Sequence, residues 1–246
     1  MNRLFRYAPL LILALAWEFI ARTGLISSSA LPPLTNVLVS WWGLMRDGDI
    51  WTHGAASLWR VGAGLSCAIV IGGLLGVAMA SWKIADTVLA PFVSIFYPLP
   101  KSALIPITAL WLGFGDGSKI LLIALGCMLP VTIGAYNGAR SADRMLVWSA
   151  RGMGASKLRM LRDVVLPSAL PELLSGVRTA MAISFVLLIA SELVVARAGF
   201  GYLIGFLGSN GTYEPMFAVV LTVAFLGFVA DRLYMAMTRR VFAWRE

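Results

Sequence analysis

Residues 137–172 read NGARSADRMLVWSARGMGASKLRMLRDVVLPSALPE, a single long basic segment set between two apolar runs. It carries Arg140, Arg144, Arg151, Lys157, Arg159 and Arg162 against Asp143, Asp163 and Glu172. The residues on either side are too apolar to form a water-facing surface. A basic connection between membrane spans is held on the cytoplasmic side, so this stretch orients the chain as well as classifying it.

Composition agrees with a membrane solvent. Hydrophobic residues make up 59% of the 246 and charged residues 13%, where a soluble domain has roughly 25% charged. The net charge of +8 does not point to nucleic acid, because the charges gather at span ends and in loops as the positive-inside bias requires. Cys67 and Cys127 lie inside apolar runs without a thiol or imidazole at metal-ligand spacing, and His53, the sole histidine, falls in a polar connection. No metal site is expected.

A helix needs about 20 apolar residues to cross the hydrocarbon core. Spans are expected near Tyr7–Thr23, Leu58–Trp82, Val88–Leu112, Lys119–Tyr136, Leu173–Val195 and Pro215–Met237. The first is interrupted by Glu18, and Arg3, Arg6 and Ser28-Ser29-Ala30 also fit a cleaved leader. A glutamate is unusual in a leader, and only an even number of spans leaves the basic loops on one side, so a retained span is the better reading. The fold class is therefore an all-α integral membrane protein with about six transmembrane helices and both termini cytoplasmic. Residues 1–57 hold the first span and an outer amphipathic helix, 58–237 the core with its cytoplasmic loop 137–172, and 238–246 a cytoplasmic tail. Within Gly24–Ser57, the apolar spacing of Leu34, Val37, Leu38, Trp41 and Leu44 describes a short helix after Leu31-Pro32-Pro33. It either lies in the headgroup region or packs on the outer ends of other spans.

Two features inside the spans stand out. Gly64, Ala68, Gly72, Gly76 and Ala80 recur every fourth residue and form one smooth stripe on a helix. Helices in lipid are held by close backbone approach, so this face is expected to pack on another helix, with a pore-lining face as the alternative. The third span holds Pro91, Pro98, Pro100 and Pro106 around Lys101. Broken backbone at membrane depth must be buried in protein or line a cavity. Lys101 then either lies on the translocation path or its gate, or snorkels or pairs with a loop carbonyl; Glu192 is its expected acidic partner or a second pathway residue, or else a helix-end carboxylate facing outer water. Gly113–Lys119 (GFGDGSK) misses the phosphate-loop spacing, and Gly199–Gly205 (GFGYLIG) misses the dinucleotide spacing. With neither a catalytic set nor a carboxylate pair in sight, the chain is not expected to be an enzyme or to hydrolyse ATP by itself.

The basic segment has internal definition. Gly154 suits a left-handed helix end and Ser156 a new helix start. Leu158, Leu161 and Val165 share a face, and Pro167 is expected to end the short helix. Pro171 and Glu172 suit the first turn of the next. A short helix held between two bends reads as a docking element for a cytoplasmic partner.

The stretch from Ala150 to Arg178, ARGMGASKLRMLRDVVLPSALPELLSGVR, resembles the cytoplasmic "EAA" signature of ABC importer permeases with the MetI-like fold. More narrowly it is similar to the binding-protein-dependent permeases for nitrate, taurine, aliphatic sulfonates and thiamine precursors. Leu31-Pro32-Pro33, Pro98–Pro106, Leu112–Lys119 and Glu192 with Gly199–Tyr202 extend the likeness over most of the chain. One departure is that the opening Glu-Ala-Ala falls on Trp148-Ser149-Ala150, so the acidic residue is missing. The resemblance implies a multi-pass permease of the bacterial inner membrane, and a pore made with a second copy. It also implies two separate ATPase subunits contacted through Gly154, Ala155, Ser156, Leu158, Leu161, Arg162, Leu166 and Pro167, and an extracytoplasmic solute-binding protein. ATP is used by the partners, and no cofactor is expected on this chain. The rival reading is an ion-coupled secondary transporter that uses Lys101 and Glu192 as a proton relay; it has no need of a docking helix.

Overall fold

The computed structural model describes residues 8–242, and every regular element among them is helical. Tyr7, Arg3 and Arg6 at the start of the first span, and Arg245 in the tail, lie outside the described residues. The helices are α1 (Ala8–Arg22), α2 (Leu34–Asp47), α3 (Asp49–Ser81), α4 (Lys83–Phe96), α5 (Ile105–Leu112), α6 (Asp116–Arg140), α7 (Arg144–Gly152), α8 (Lys157–Met160), α9 (Leu166–Val195), α10 (Phe200–Ser209) and α11 (Tyr213–Val241). Four uninterrupted helices are long and apolar enough to cross a membrane: Asp49–Ser81, Asp116–Arg140, Lys157–Val195 and Tyr213–Val241. A fifth span is met only by a bent pair, Lys83–Phe96 with Lys101–Leu112, at 97°. The described part of the first expected span is α1, with 15 residues.

The chain divides into two compact units, Met1–Ser57 with Glu192–Leu226 and Leu58–Ser191 with Gly227–Glu246. In the first, Glu18 explains its own presence in an apolar helix. Its carboxylate pairs with Arg22 at 2.6 Å and accepts from the Thr35 amide and hydroxyl at 3.2 and 3.0 Å. It thereby binds an amide in the first turn of α2, one of the donors that a helix leaves unpaired. α2 is packed by its apolar face: Val37 and Leu44 are buried, and Trp41 Nε1 donates to Thr222 Oγ1 at 3.0 Å, whereas Trp42 is exposed. Gly48, at φ 89°, ends α2 and turns the chain directly into α3. α3 therefore starts at Asp49 rather than at Leu58, and His53 sits on a helix, not in a loop. Polar Asp49-to-Ser57 extends a membrane helix beyond its apolar run, which hydropathy cannot register.

In the second unit, α6 is the central packing helix. A Cβ at Gly72 would lie 2.7 Å from the Met128 carbonyl, and one at Gly64 would lie 2.7 Å from Ile123 Cβ. At Gly76 it would meet the Thr132 carbonyl, with the Tyr136 amide at 2.9 Å. Ala68 is buried on the same side. The stripe thus lets two backbones touch, which is how van der Waals attraction replaces the missing hydrophobic drive in lipid. A second small-residue face on α6 meets α9: a Cβ at Gly134 would be 2.6 Å from the Glu172 carbonyl, and one at Gly176 would be 2.5 Å from that of Pro130. Further along, Arg178 grips Asp231 of α11 with two bonds of 2.7 and 3.1 Å, and Tyr234 donates to the Leu174 carbonyl at 2.6 Å.

The third expected span departs most from a straight crossing. α4 tolerates Pro91 in its interior and stops at Phe96. Pro98 and Pro100 occupy the break, a tight turn spans Lys101–Leu104, and Pro106 falls within the first two positions of α5, where no amide is needed. The prolines thus divide into two that break the helix and two that do not.

Candidate functional site

The basic segment is built from local chemistry. Asp143 caps α7 by accepting from the Met145 amide at 2.8 Å. α7 closes with Gly154 at φ 79°: the Gly154 amide donates to the Arg151 carbonyl and the Ala155 amide to the Ala150 carbonyl, at 2.9 and 3.0 Å. This is the paired 5→2 and 6→1 helix ending that needs a left-handed residue. Two residues on, Ser156 Oγ accepts from the Arg159 amide and starts α8. Leu158 and Met153 stand 75% and 79% exposed. Leu158, Leu161 and Val165 line one groove with Ala80 of α3 and Trp82 just after it. Arg162, Leu166 and Pro167 are exposed, and so is Trp148, on α7.

Pro167 does not end the helix. The chain runs helically from Lys157 through Val195, with residues Leu161–Val165 wound as a π turn in which the Leu166 amide bonds to the Leu161 carbonyl. A proline lacks a donor and crowds the carbonyl four residues back. The wider turn immediately before Pro167 is where that crowding is absorbed, so the helix continues through Pro167 and Pro171.

Lys101 sits at the bend. Its ammonium donates to the carbonyls of Phe96 and Tyr97 at 3.1 and 2.6 Å, accepting the role of a cation at the end of α4. Its stem passes close to α6, since a Cβ at Gly126 would lie 3.4 Å from Lys101 Cγ.

Glu192 belongs to a different cluster. It is only 1% exposed. Its carboxylate accepts from Ser57 Oγ at 2.9 Å and from the Gly201 amide at 2.9 Å. Ser57 Oγ also accepts from the Phe200 amide at 2.9 Å, and His53 Nδ1 accepts from the Gly199 amide at 3.0 Å. Three successive amides opening α10 are therefore held by three side chains, with the carboxylate at the positive end of the helix. Gly199, at φ 118°, brings the backbone against Glu192; a Cβ there would run into the carboxylate. Ser57, His53 and Gly199 were not singled out together from the sequence, where they are far apart. The only local sign was a Gly-Phe-Gly following a glutamate. Gly199→Ala should cost about 1–3 kcal/mol from backbone conformation alone, with the collision added. Thermal unfolding of the detergent-solubilised protein should show a clear fall. Gly227→Ala, at a helical glycine with open space, should be neutral. An unchanged midpoint for Gly199→Ala would remove the clamp at α10.

Two further buried charges also turn back onto the protein. Arg60 Nε bonds Asp116 at 2.8 Å, and Lys119 Nζ donates to the Phe114 and Gly115 carbonyls at 2.5 and 3.1 Å. Among the described residues, no group of three or more His, Cys, Asp or Glu side chains is placed to hold a metal ion.

This helical architecture, with a bent apolar pair and a defined basic loop, is that of a membrane-embedded transport subunit. Residues 68–243 match the family model described as "Binding-protein-dependent transport system inner membrane component", and the chain belongs to that family, the permeases of ABC importers. It is 32% identical to the taurine transport system permease protein of Escherichia coli K12, over 96% of this chain and 87% of that one. It is 30% identical to a putative aliphatic sulfonates transport permease protein of Bacillus subtilis 168, over 97% and 86% of the two chains. The fold is shared with a methionine ABC transporter in an inward-facing conformation, with a TM-score of 0.57 and 24% identity over 79% of this chain and 96% of that one. An amino acid ABC transporter gives a TM-score of 0.64 at 16% identity, over 82% and 96%.

Proposed function

We propose that this permease forms half of a solute pore with a second copy of itself in the bacterial inner membrane, with both termini cytoplasmic. Two separate ATPase subunits dock on residues 154–166, and an extracytoplasmic binding protein delivers a small solute of the sulfonate class. ATP is consumed by the partner subunits. The observation that carries this reading is the 154–166 segment. Its glycine helix ending and serine cap fix an exposed tip, with Leu158 bare to solvent and basic side chains beside it, and such definition serves a partner rather than a connector. Trp148, where the resemblance to the EAA signature would put a glutamate, supplies an exposed apolar surface to the same partner. ATP-driven closure of the ATPase pair draws the two tips together and opens the pore outward. In this reading Lys101 belongs to the solute path. Glu192, held at α10, sets the geometry of that helix.

The test is reconstitution of permease, ATPase and binding protein in vesicles. Sulfonate uptake should require all three and ATP. Uptake by the permease alone, driven by a proton gradient, would instead establish the ion-coupled reading.

A further inference from the structure

A groove of about 470 Å³ separates the helical stretch 157–165 from the ends of α3 and α6. Its volume is within the roughly 300–1,000 Å³ range of small-ligand sites. Ala80 of α3, Ala139 of α6, Leu161, Val165 and Trp82 give it carbon, and Arg151 of α7 and Lys157 of α8 give it charge. Polar atoms face it as well as carbon. Among the described residues that line it there is no Asp or Glu. The acids close by in sequence are engaged elsewhere: Asp143 accepts from the Met145 amide at 2.8 Å, and Asp163 pairs with Arg159 at 3.6 Å. The groove also has a definite depth. α3 and α6 are both long enough to cross a membrane, and they end here, at Ser81 and Arg140. Trp82, the next residue after α3, stands 59% exposed, as suits an indole at headgroup level.

We propose that this groove holds the headgroup of an anionic phospholipid, with its phosphate on Arg151 and Lys157. A guanidinium offers phosphate two parallel donors, and an ammonium adds a compact charge. The glycerol and the first methylenes of the chains replace water on Leu161, Val165 and Trp82. A headgroup with an ammonium of its own would set a third cation beside two, with no carboxylate to receive it. The chemistry therefore selects an anionic lipid over a zwitterionic one. A free phosphate would satisfy the two cations but leave the carbon surface wet. It would also have to come from dilute solution, whereas the bilayer presents headgroups at this depth continuously. Such a lipid lies between the docking segment and the spans, whichever solute the pore carries.

Native mass spectrometry of the detergent-solubilised, full-length permease counts the lipids it retains. The protein is offered phosphatidylglycerol and phosphatidylcholine with identical acyl chains at equal concentration. Phosphatidylglycerol should be retained at least about tenfold in preference, as two nearby cations favour it. The double variant Arg151→Gln/Lys157→Gln should lose that preference by a similar factor. Ser81→Trp, which fills the groove from an exposed lining position without changing charge, should lose it too. Arg239→Gln/Arg240→Gln, which removes the same charge from the last turn of α11, should retain phosphatidylglycerol as the wild type does. Glycerol phosphate, the headgroup anion without chains, should fail to displace the lipid at equal concentration. Equal retention of the two lipids, or an unchanged preference in Arg151→Gln/Lys157→Gln or in Ser81→Trp, would overturn the proposal. So would an equal loss in Arg239→Gln/Arg240→Gln, which would reveal diffuse attraction, or displacement by glycerol phosphate, which would reveal a site for free anions.

Discussion

Gly76→Leu should leave almost no assembled permease in the membrane. The added Cβ would lie 2.6 Å from Ala135 Cβ and 2.9 Å from the Tyr136 amide, besides striking the Thr132 carbonyl. Two of those three are backbone atoms of α6, and no rotamer change moves them. Overpacking a well-filled contact costs about 1–3 kcal/mol; a backbone collision on a helix axis lies at or beyond the top of that range, against a total stability of about 5–15 kcal/mol. Gly72→Leu should behave alike, with the Met128 carbonyl 2.7 Å away. Gly73, one residue off the stripe, meets only Leu173 Cδ1 at 3.8 Å and should accept Ala with normal yield. Size-exclusion yield of the solubilised protein reads the result. Full yield for both leucine variants would show that the α3–α6 contact is not what holds this unit.

Gly154→Val should do the opposite: normal assembly and lost transport. No atom lies within 4 Å of a Cβ built on Gly154, so there is nothing to collide with. The cost is conformational, because a β-branched residue resists φ 79°. The helix ending would open, and the tip beyond it would leave its position. Uptake per assembled complex should fall at least about tenfold, the effect of some 1.4 kcal/mol. The ATPase subunits should either co-purify poorly or turn over without transport. Gly154→Asn should recover part of the loss, since asparagine tolerates the left-handed region. Wild-type uptake by the valine variant would refute docking through 154–166.

Much of the architecture is legible in the residues because a membrane allows few solutions. Long apolar runs must become helices, and α3, α6, α9 and α11 lie where such runs fall. The spacing of Gly64, Ala68, Gly72 and Gly76 announces a face. Helix endings are local, which is why Gly154 and Ser156 were readable. What escaped depends on distance or on arithmetic within a turn. Prolines around Lys101 signal a break, but not its 97° angle. His53 looked like a loop residue because a helix can outrun its apolar segment. The holding of Gly199 and Phe200 by His53 and Ser57 joins residues more than a hundred positions apart, and periodicity contains nothing of that. Pro167 misled because a helix stop by proline assumes α geometry, and the preceding turn is wider.

That wide turn has a consequence for how the two ends of the helix are related. In an α-helix every side chain is indexed to every other at about 100° per residue. Leu161–Val165 holds in effect one residue more than an α turn would, and slips the index by about that amount. The compass bearing of Leu158 is therefore set independently of the bearing at which Gly176 and Arg178 face α6 and α11. Deleting one residue between 161 and 165 would restore a continuous α spiral. It would swing the exposed tip by roughly a quarter of a revolution about the axis, with every side chain inside the bilayer left unchanged.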